Sequence, residues 1–159
     1  MQGLIINNIS NMYYVKIEDG TYTCMARGKL KNEDISPVVG DIVEISIENK
    51  ENKEGVIEKI MPRKIYLKRP KIANITQIIS VISSKNPKPD LLMLDKQLVY
   101  ANYIGINPII IINKVDLEKD EYIENIRNLY TKIGYKVILT IASESKGIDE
   151  VKKILKNNI

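Results

Sequence analysis

Ile109-Ile110-Ile111-Ile112-Asn113-Lys114-Val115-Asp116 is the stretch that decides the fold class. A continuous apolar tetrad suits a strand buried on both faces, as strands of a parallel sheet are. The polar quartet follows at the carboxyl end of that strand, where open α/β sheets place ligand-contacting side chains. Outward from this junction the rhythm is strand, helix, strand, helix. Upstream, Ile78-Ile79-Ser80-Val81-Ile82 reads as a buried strand and Pro87 and Pro89 break the chain. Asp90 is placed to cap a helix running to about Ile104, with Leu91, Leu94, Leu98 and Ala101 inward and Gly105 at its end. Downstream, Tyr122, Ile126, Leu129, Tyr130 and Ile133 form the buried stripe of a second helix closed by Gly134. Val137-Ile138-Leu139-Thr140-Ile141 is the third strand, and Gly147 opens a last helix with Ile148, Val151 and Leu155 inward. Residues 72–159 are therefore expected to form an α/β unit on three parallel strands.

Residues 1–68 have a different period. Tyr13-Tyr14-Val15-Lys16-Ile17-Glu18 and the run from Thr21 to Arg27 flank Asp19-Gly20, a strong signal for a β-hairpin. Gly40-Asp41 opens Ile42-Val43-Glu44-Ile45-Ser46-Ile47, which alternates apolar and polar residues. Polar residues Glu48 to Glu54 turn the chain into Val56-Ile57-Glu58-Lys59-Ile60, and Pro62 stops it. With Leu4 to Ile9 in front, about five short antiparallel strands fit a small β barrel of the OB type. An SH3-like barrel has the same periodicity and is the structural alternative.

The 159 residues, 44% of them apolar, suffice for one ordinary domain or two small ones. A net charge of +4 is compatible with RNA and equally with a solvated Lys-rich surface. The single cysteine, Cys24, rules out an internal disulfide, and with no histidine in the chain no zinc site is expected here. It reads as a small core hydrophobe. No signal segment and no apolar run near membrane-spanning length appear, so a cytoplasmic protein without membrane contact is expected.

The quartet Asn113-Lys114-Val115-Asp116 resembles the element that reads the guanine ring in GTP-binding proteins. There the Asp carboxylate accepts from N1–H and the 2-amino group together, a charge-assisted pair of bonds. The Asn amide ties the loop down, and the Lys stem lies along the ring face. Adenine would leave that carboxylate unpaired, which supplies selectivity. A plainer reading has Asp116 capping the following helix for about 1 kcal/mol. The loop Thr140 to Gly147 weighs against it, because GTPases carry there a Ser-Ala-Lys element whose Ala N–H meets guanine O6, and Ala142 occupies that place. Phosphate handling is another matter: the loop GxxxxGK[ST], whose backbone amides surround phosphates, occurs nowhere in the sequence. No catalytic residue and no metal ligand is assigned. In the barrel half, Arg27-Gly28-Lys29-Leu30-Lys31 and the group Arg63, Lys64, Lys68 and Arg69 are candidate phosphate contacts for RNA. Tyr13, Tyr14 and Tyr22 could stack on bases, although strand tyrosines more often pack in cores.

The order of these parts resembles the circularly permuted, ribosome small-subunit-dependent GTPases, the RsgA, YjeQ or EngC family. The stretches that carry the resemblance are Ala26-Arg27-Gly28-Lys29-Leu30, Val39-Gly40-Asp41-Ile42-Val43, Arg69-Pro70-Lys71-Ile72-Ala73-Asn74-Ile75-Thr76-Gln77, Leu94-Asp95-Lys96-Gln97-Leu98-Val99 and Asn113-Lys114-Val115-Asp116-Leu117. The resemblance implies GTP as the nucleotide, the 30S subunit and its rRNA as partners, and a role in late small-subunit maturation. It also implies a phosphate loop, a Mg²⁺ site and a zinc domain lying beyond Ile159, so this chain is expected to be an inactive amino-terminal portion. Ile141 stands where the family has Ser, and Ser143 where it has Lys. Two other readings are an RNA-binding module with a vestigial GTPase half, and an unrelated two-domain assembly factor with a chance Asn-Lys-x-Asp.

Overall fold

Glu18 and Asp19 turn strand β2 (Met12–Ile17) into β3 (Gly20–Ala26), with Ile17 paired to Gly20 across the hairpin. The computed structural model describes residues 1–28, 30 and 36–159, which separate into two units, Met1–Ile75 and Thr76–Ile159. In the first unit β1 (Gln2–Ile9), β4 (Ile42–Asn49) and β5 (Glu54–Ile60) join β2 and β3 in a closed barrel of order β1-β2-β3-β5-β4. Alternation sets the interior. Val15, Tyr22, Cys24, Val43, Ile45 and Ile57 point inward with Ile5, each at most 3% exposed. This five-stranded Greek-key order is that of an OB barrel and removes the SH3-like alternative.

One expectation is corrected. The strands are not all antiparallel: β3 runs parallel to β5 from Thr23 opposite Glu54 to Ala26 opposite Ile57. Parity requires it. The other neighbouring pairs are antiparallel, and a closed ring with an odd number of strands must hold at least one parallel pair.

A short hairpin, β6 (Tyr66–Lys68) and β7 (Lys71–Ala73), follows the barrel and was not foreseen. It is tied back by the bridge from Ile72 to Val39. Gly40 allows this approach: at φ +88° it has no side chain, and a Cβ there would fall 1.9 Å from the carbonyl oxygen of Ala73. The neighbouring Asp41 is fully buried. Its carboxylate accepts from Arg63 Nε at 2.7 Å, from a terminal guanidinium nitrogen of Arg63 at 2.8 Å, and from the Val38 N–H at 2.8 Å. The Arg63 guanidinium also lies 4.5 Å over the Tyr66 ring.

The second unit is a parallel sheet of order β10-β9-β8, formed by β8 (Ile78–Ser83), β9 (Pro108–Asn113) and β10 (Lys136–Thr140). Helix α1 (Leu91–Tyr103) starts where Asp90 accepts from the Met93 N–H, and buries Leu94, Leu98 and Ala101. Helix α2 (Asp120–Lys132) buries Ile123, Ile126 and Tyr130. Of the expected stripe, Ile126 and Tyr130 are buried and Tyr122 packs against the core, but two positions are not covered. Leu129 and Ile133 are 54% and 62% exposed, because the face toward Ile110 and Ile112 of β9 runs through Ile123 instead. In α3 (Ile148–Leu155) no residue is fully buried, and Leu155 is half exposed where an inward position was expected. Among the described residues β8 pairs only with β9, so its other edge is open, and Val81 beside that edge is 64% exposed. No described helix is long and apolar enough to cross a membrane.

Candidate functional site

The quartet leaves β9 at its carboxyl end and bends at once. Lys114 adopts φ 60°, ψ 38°, a left-handed conformation that costs a side-chain-bearing residue roughly 1–2 kcal/mol. Val115–Leu117 then form a single 3-10 turn, closed by the Leu117 N–H donating to the Lys114 carbonyl at 3.0 Å. Asp116 sits on this turn, exposed to solvent. It does not cap α2, whose first residue is preceded by Lys119 with no side-chain cap. The helix-cap reading of Asp116 is therefore excluded.

Asn113 joins the two loops. Its Oδ1 accepts the Ala142 N–H at 3.1 Å and the Thr140 hydroxyl at 3.0 Å. One side chain at the end of β9 thus fixes the segment leaving β10. The Ala142 N–H, expected to face guanine O6, is donated to Asn113 here, so a base would have to share or displace that bond. At the same loop, the bridge between Ile141 and Lys146 closes a tight turn through Ala142–Glu144. The Lys146 ammonium pairs with Glu144 at 2.6 Å. Its pKa is raised, first by that bond and the Glu144 charge and to a lesser degree by the Asp116 charge. The Asp116 carboxylate thus lies within electrostatic reach of Lys146, a residue that sequence reasoning passed over, without an ion pair between them. The Lys114 ammonium donates to the Asn86 carbonyl at 2.6 Å.

The basic candidates fare unequally. Arg27 is ion-paired with Glu58, which also accepts from Ser46 at 2.8 Å. Arg63 is committed to Asp41 and to the Ser36 carbonyl at 2.9 Å, so its role is structural and not that of a free phosphate contact. Lys29 and Lys31 lie outside the described residues. Lys64, Lys68 and Arg69 are exposed and form no ion pair among the described residues. Lys71, missed in sequence, pairs with Lys68 across the β6–β7 hairpin and adds a further exposed cation to this group. Of the tyrosines, Tyr13 and Tyr22 are 7% and 1% exposed in the barrel core and have no free ring face for a base. Among the described residues no group of three or more His, Cys, Asp or Glu is placed to hold a metal.

An OB barrel followed in the chain by a parallel sheet with tied loops at the ends of β9 and β10 defines a two-unit protein, a β barrel and an α/β unit with a candidate base-reading site. Family models agree along nearly the whole length: that of the RsgA N-terminal domain matches residues 2–57, and that of the RsgA GTPase matches residues 60–159. The chain belongs to the RsgA GTPase family. It is 45% identical over 159 residues to the small ribosomal subunit biogenesis GTPase RsgA of Caldanaerobacter subterraneus subsp. tengcongensis, covering all of this chain and 53% of that protein. The RsgA of Clostridium acetobutylicum is 42% identical over 159 residues, with 54% of its length covered. Among solved structures, YjeQ from Thermotoga maritima superposes with a TM-score of 0.85 at 33% identity, covering 99% of this chain and 57% of that one. YloQ, described as a circularly permuted GTPase, gives 0.83 at 33% identity with the same coverage. The chain spans about half the length of the curated relatives it matches.

Proposed function

We propose that this chain carries the guanine-reading and RNA-contacting parts of a cytoplasmic GTPase that acts in maturation of the small ribosomal subunit. The observation that carries the reading is Asn113. Its carboxamide oxygen, at the end of β9, holds Thr140 and Ala142 of the segment leaving β10, so the loop that carries Asp116 and the second loop are tied together at their base. Asp116 is the acceptor for N1–H and the 2-amino group of guanine, and it needs no rearrangement to be free for that role. Asn113 organises the loop, and the Lys114 stem lines it. The relatives' printed names support the ribosomal assignment, and the exposed Lys64, Lys68, Arg69 and Lys71 support an RNA contact on the first unit. Phosphoryl transfer requires charge stabilisation by a phosphate loop and metal, and this sequence holds no GxxxxGK[ST] string. The chain by itself binds guanine without turning over GTP.

Titration of the purified chain with guanosine, GTP and adenosine, followed by amide chemical shifts, tests this. Guanosine and GTP should bind alike with dissociation constants no tighter than roughly millimolar, about −4 kcal/mol. Adenosine should not perturb residues 113–117 or 140–146, and Asp116→Ala should abolish the guanosine response. Equal shifts from adenosine and guanosine would refute base recognition. GTP bound far more tightly than guanosine would reveal a phosphate site elsewhere in the chain.

A further inference from the structure

The residue immediately after β8 belongs to neither base-reading loop, yet it holds one of them. Ser84 is 1% exposed. Its backbone N–H donates to the Asn113 carbonyl at 2.9 Å, and its hydroxyl donates to the Lys114 carbonyl at 2.5 Å. One residue therefore grips two consecutive carbonyls of the quartet, at the point where the regular ladder between β8 and β9 has ended at Ser83 opposite Asn113. Two residues further on, the Asn86 carbonyl receives the Lys114 ammonium at 2.6 Å. Lys114 is thus held at its backbone oxygen and at its side-chain terminus by the same short segment.

This matters because Lys114 is in a conformation it would not choose. A lysine at φ 60° is strained, and such strain persists only where the surroundings over-determine it. The left-handed turn directs the Lys114 carbonyl toward Ser84 and starts the 3-10 turn that carries Asp116. If Lys114 relaxed to an ordinary extended or right-handed backbone, the chain would leave β9 in another direction. Asp116, two residues later, would move with it. A two-point contact to N1–H and the 2-amino group tolerates little displacement.

We propose that Ser84 is a positioning residue for guanine recognition, acting through Lys114 and supported by the Asn86 carbonyl; this rests on the base-reading role assigned above to Asp116. The buried hydroxyl selects the left-handed state of Lys114, and through it sets where the specificity-determining carboxylate stands. Ser80 provides a control from the same strand. It is 5% exposed and its hydroxyl bonds Gln97 at 3.0 Å, far along the strand from the quartet. Loss of either hydroxyl removes one buried hydrogen bond, but only one of them touches the loop.

The experiment compares the full chain with Ser84→Ala and Ser80→Ala by NMR. Without nucleotide, the three-bond HN–Hα coupling and carbon shifts of Lys114 report its backbone basin. Ser84→Ala should lose the left-handed signature and Ser80→Ala should retain it. With guanosine and inosine, which lacks the 2-amino group, Ser84→Ala should weaken guanosine binding about five-fold, the worth of one buried hydrogen bond, and shrink the preference over inosine. Ser80→Ala should leave both unchanged even where thermal stability falls equally. Retention of the left-handed signature in Ser84→Ala overturns the proposal, as does a loss of guanosine preference no greater than in Ser80→Ala. If the unaltered chain shows no guanosine preference at all, base recognition by Asp116 fails, and the Lys114 conformation alone decides the clamp. Should Ser84→Ala not fold, Ser84→Cys, nearly isosteric and a weaker donor, is read in the same way.

Discussion

Replacing Arg63 with alanine should cost the barrel more than any surface cation in the chain. Asp41 is fully buried and receives three donors, two of them from the Arg63 guanidinium. Arg63→Ala leaves the carboxylate with the Val38 N–H alone. Breaking a buried ion pair by removing one partner costs about 3–5 kcal/mol, since the remaining charge keeps its desolvation penalty. The stacked contact on Tyr66 adds about 0.5–1 kcal/mol. Against a total stability of roughly 5–15 kcal/mol, the barrel should be left marginal. Urea unfolding followed by tyrosine fluorescence measures the loss, and hydrogen exchange assigns it to Met1–Ile75. The double variant Asp41→Asn, Arg63→Met should recover much of it, because no buried charge remains. A loss below about 1 kcal/mol for Arg63→Ala would show that Asp41 is solvated after all, and would return Arg63 to the pool of possible RNA contacts.

Asn113→Ala frees the Ala142 N–H and the Thr140 hydroxyl together, so exchange at the Ala142 amide should accelerate and the second unit should lose about 1–3 kcal/mol; an unchanged exchange rate would contradict the bridge. Burial pushes the Cys24 thiol up to about 11 from an ordinary 9.0. Its folded pKa lies above the unfolded one, so its contribution is complete below pH 9 and is lost as pH rises toward 11. Thermal melts across that window should fall less steeply for Cys24→Ala, and parallel slopes would count against the assignment. Replacing Lys68, Arg69 and Lys71 together with alanine should flatten the salt dependence of RNA binding by about two to three units of slope, read by fluorescence anisotropy over a salt series. An unaltered slope would place the RNA contact away from the β6–β7 hairpin.

Local pattern carried the parts of this fold that local physics dictates. The apolar tetrad before Asn113 and the Asp90 cap stand where their sequence signals put them, and the first hairpin turns within one residue of its Asp19-Gly20 signal, at Glu18-Asp19, because each is set by neighbours in the chain. The parallel pairing of β3 with β5 was not legible, since strand direction follows from closing the whole ring. The hairpin at Tyr66–Ala73 escaped notice because strands of three residues have no measurable period. In α2 the spacing was right at Ile126 and Tyr130 and wrong at Leu129 and Ile133, because the covered face runs through Ile123, which helical spacing alone does not distinguish. Site geometry was the least visible. That Ala142 donates to Asn113, that Arg63 is consumed by Asp41, and that Ser84 grips Lys114 are all contacts between residues far apart in sequence.

The parallel pair that closes the ring also orders events during synthesis. Strands β1 to β3 leave the ribosome as a meander whose third member has no partner on one side. Its neighbour in the finished barrel, Glu54–Ile57, is translated later, after β4. No hairpin can substitute for that late arrival, so the growing chain holds an unsatisfied row of amides and carbonyls on Thr23–Ala26 until residue 60 has cleared the exit tunnel. Distant pairings of this kind slow closure, and an open strand edge invites pairing with other chains meanwhile. Closure of the first unit therefore waits on β5, and slowing translation after Ile60 would give it time to close before the second unit emerges.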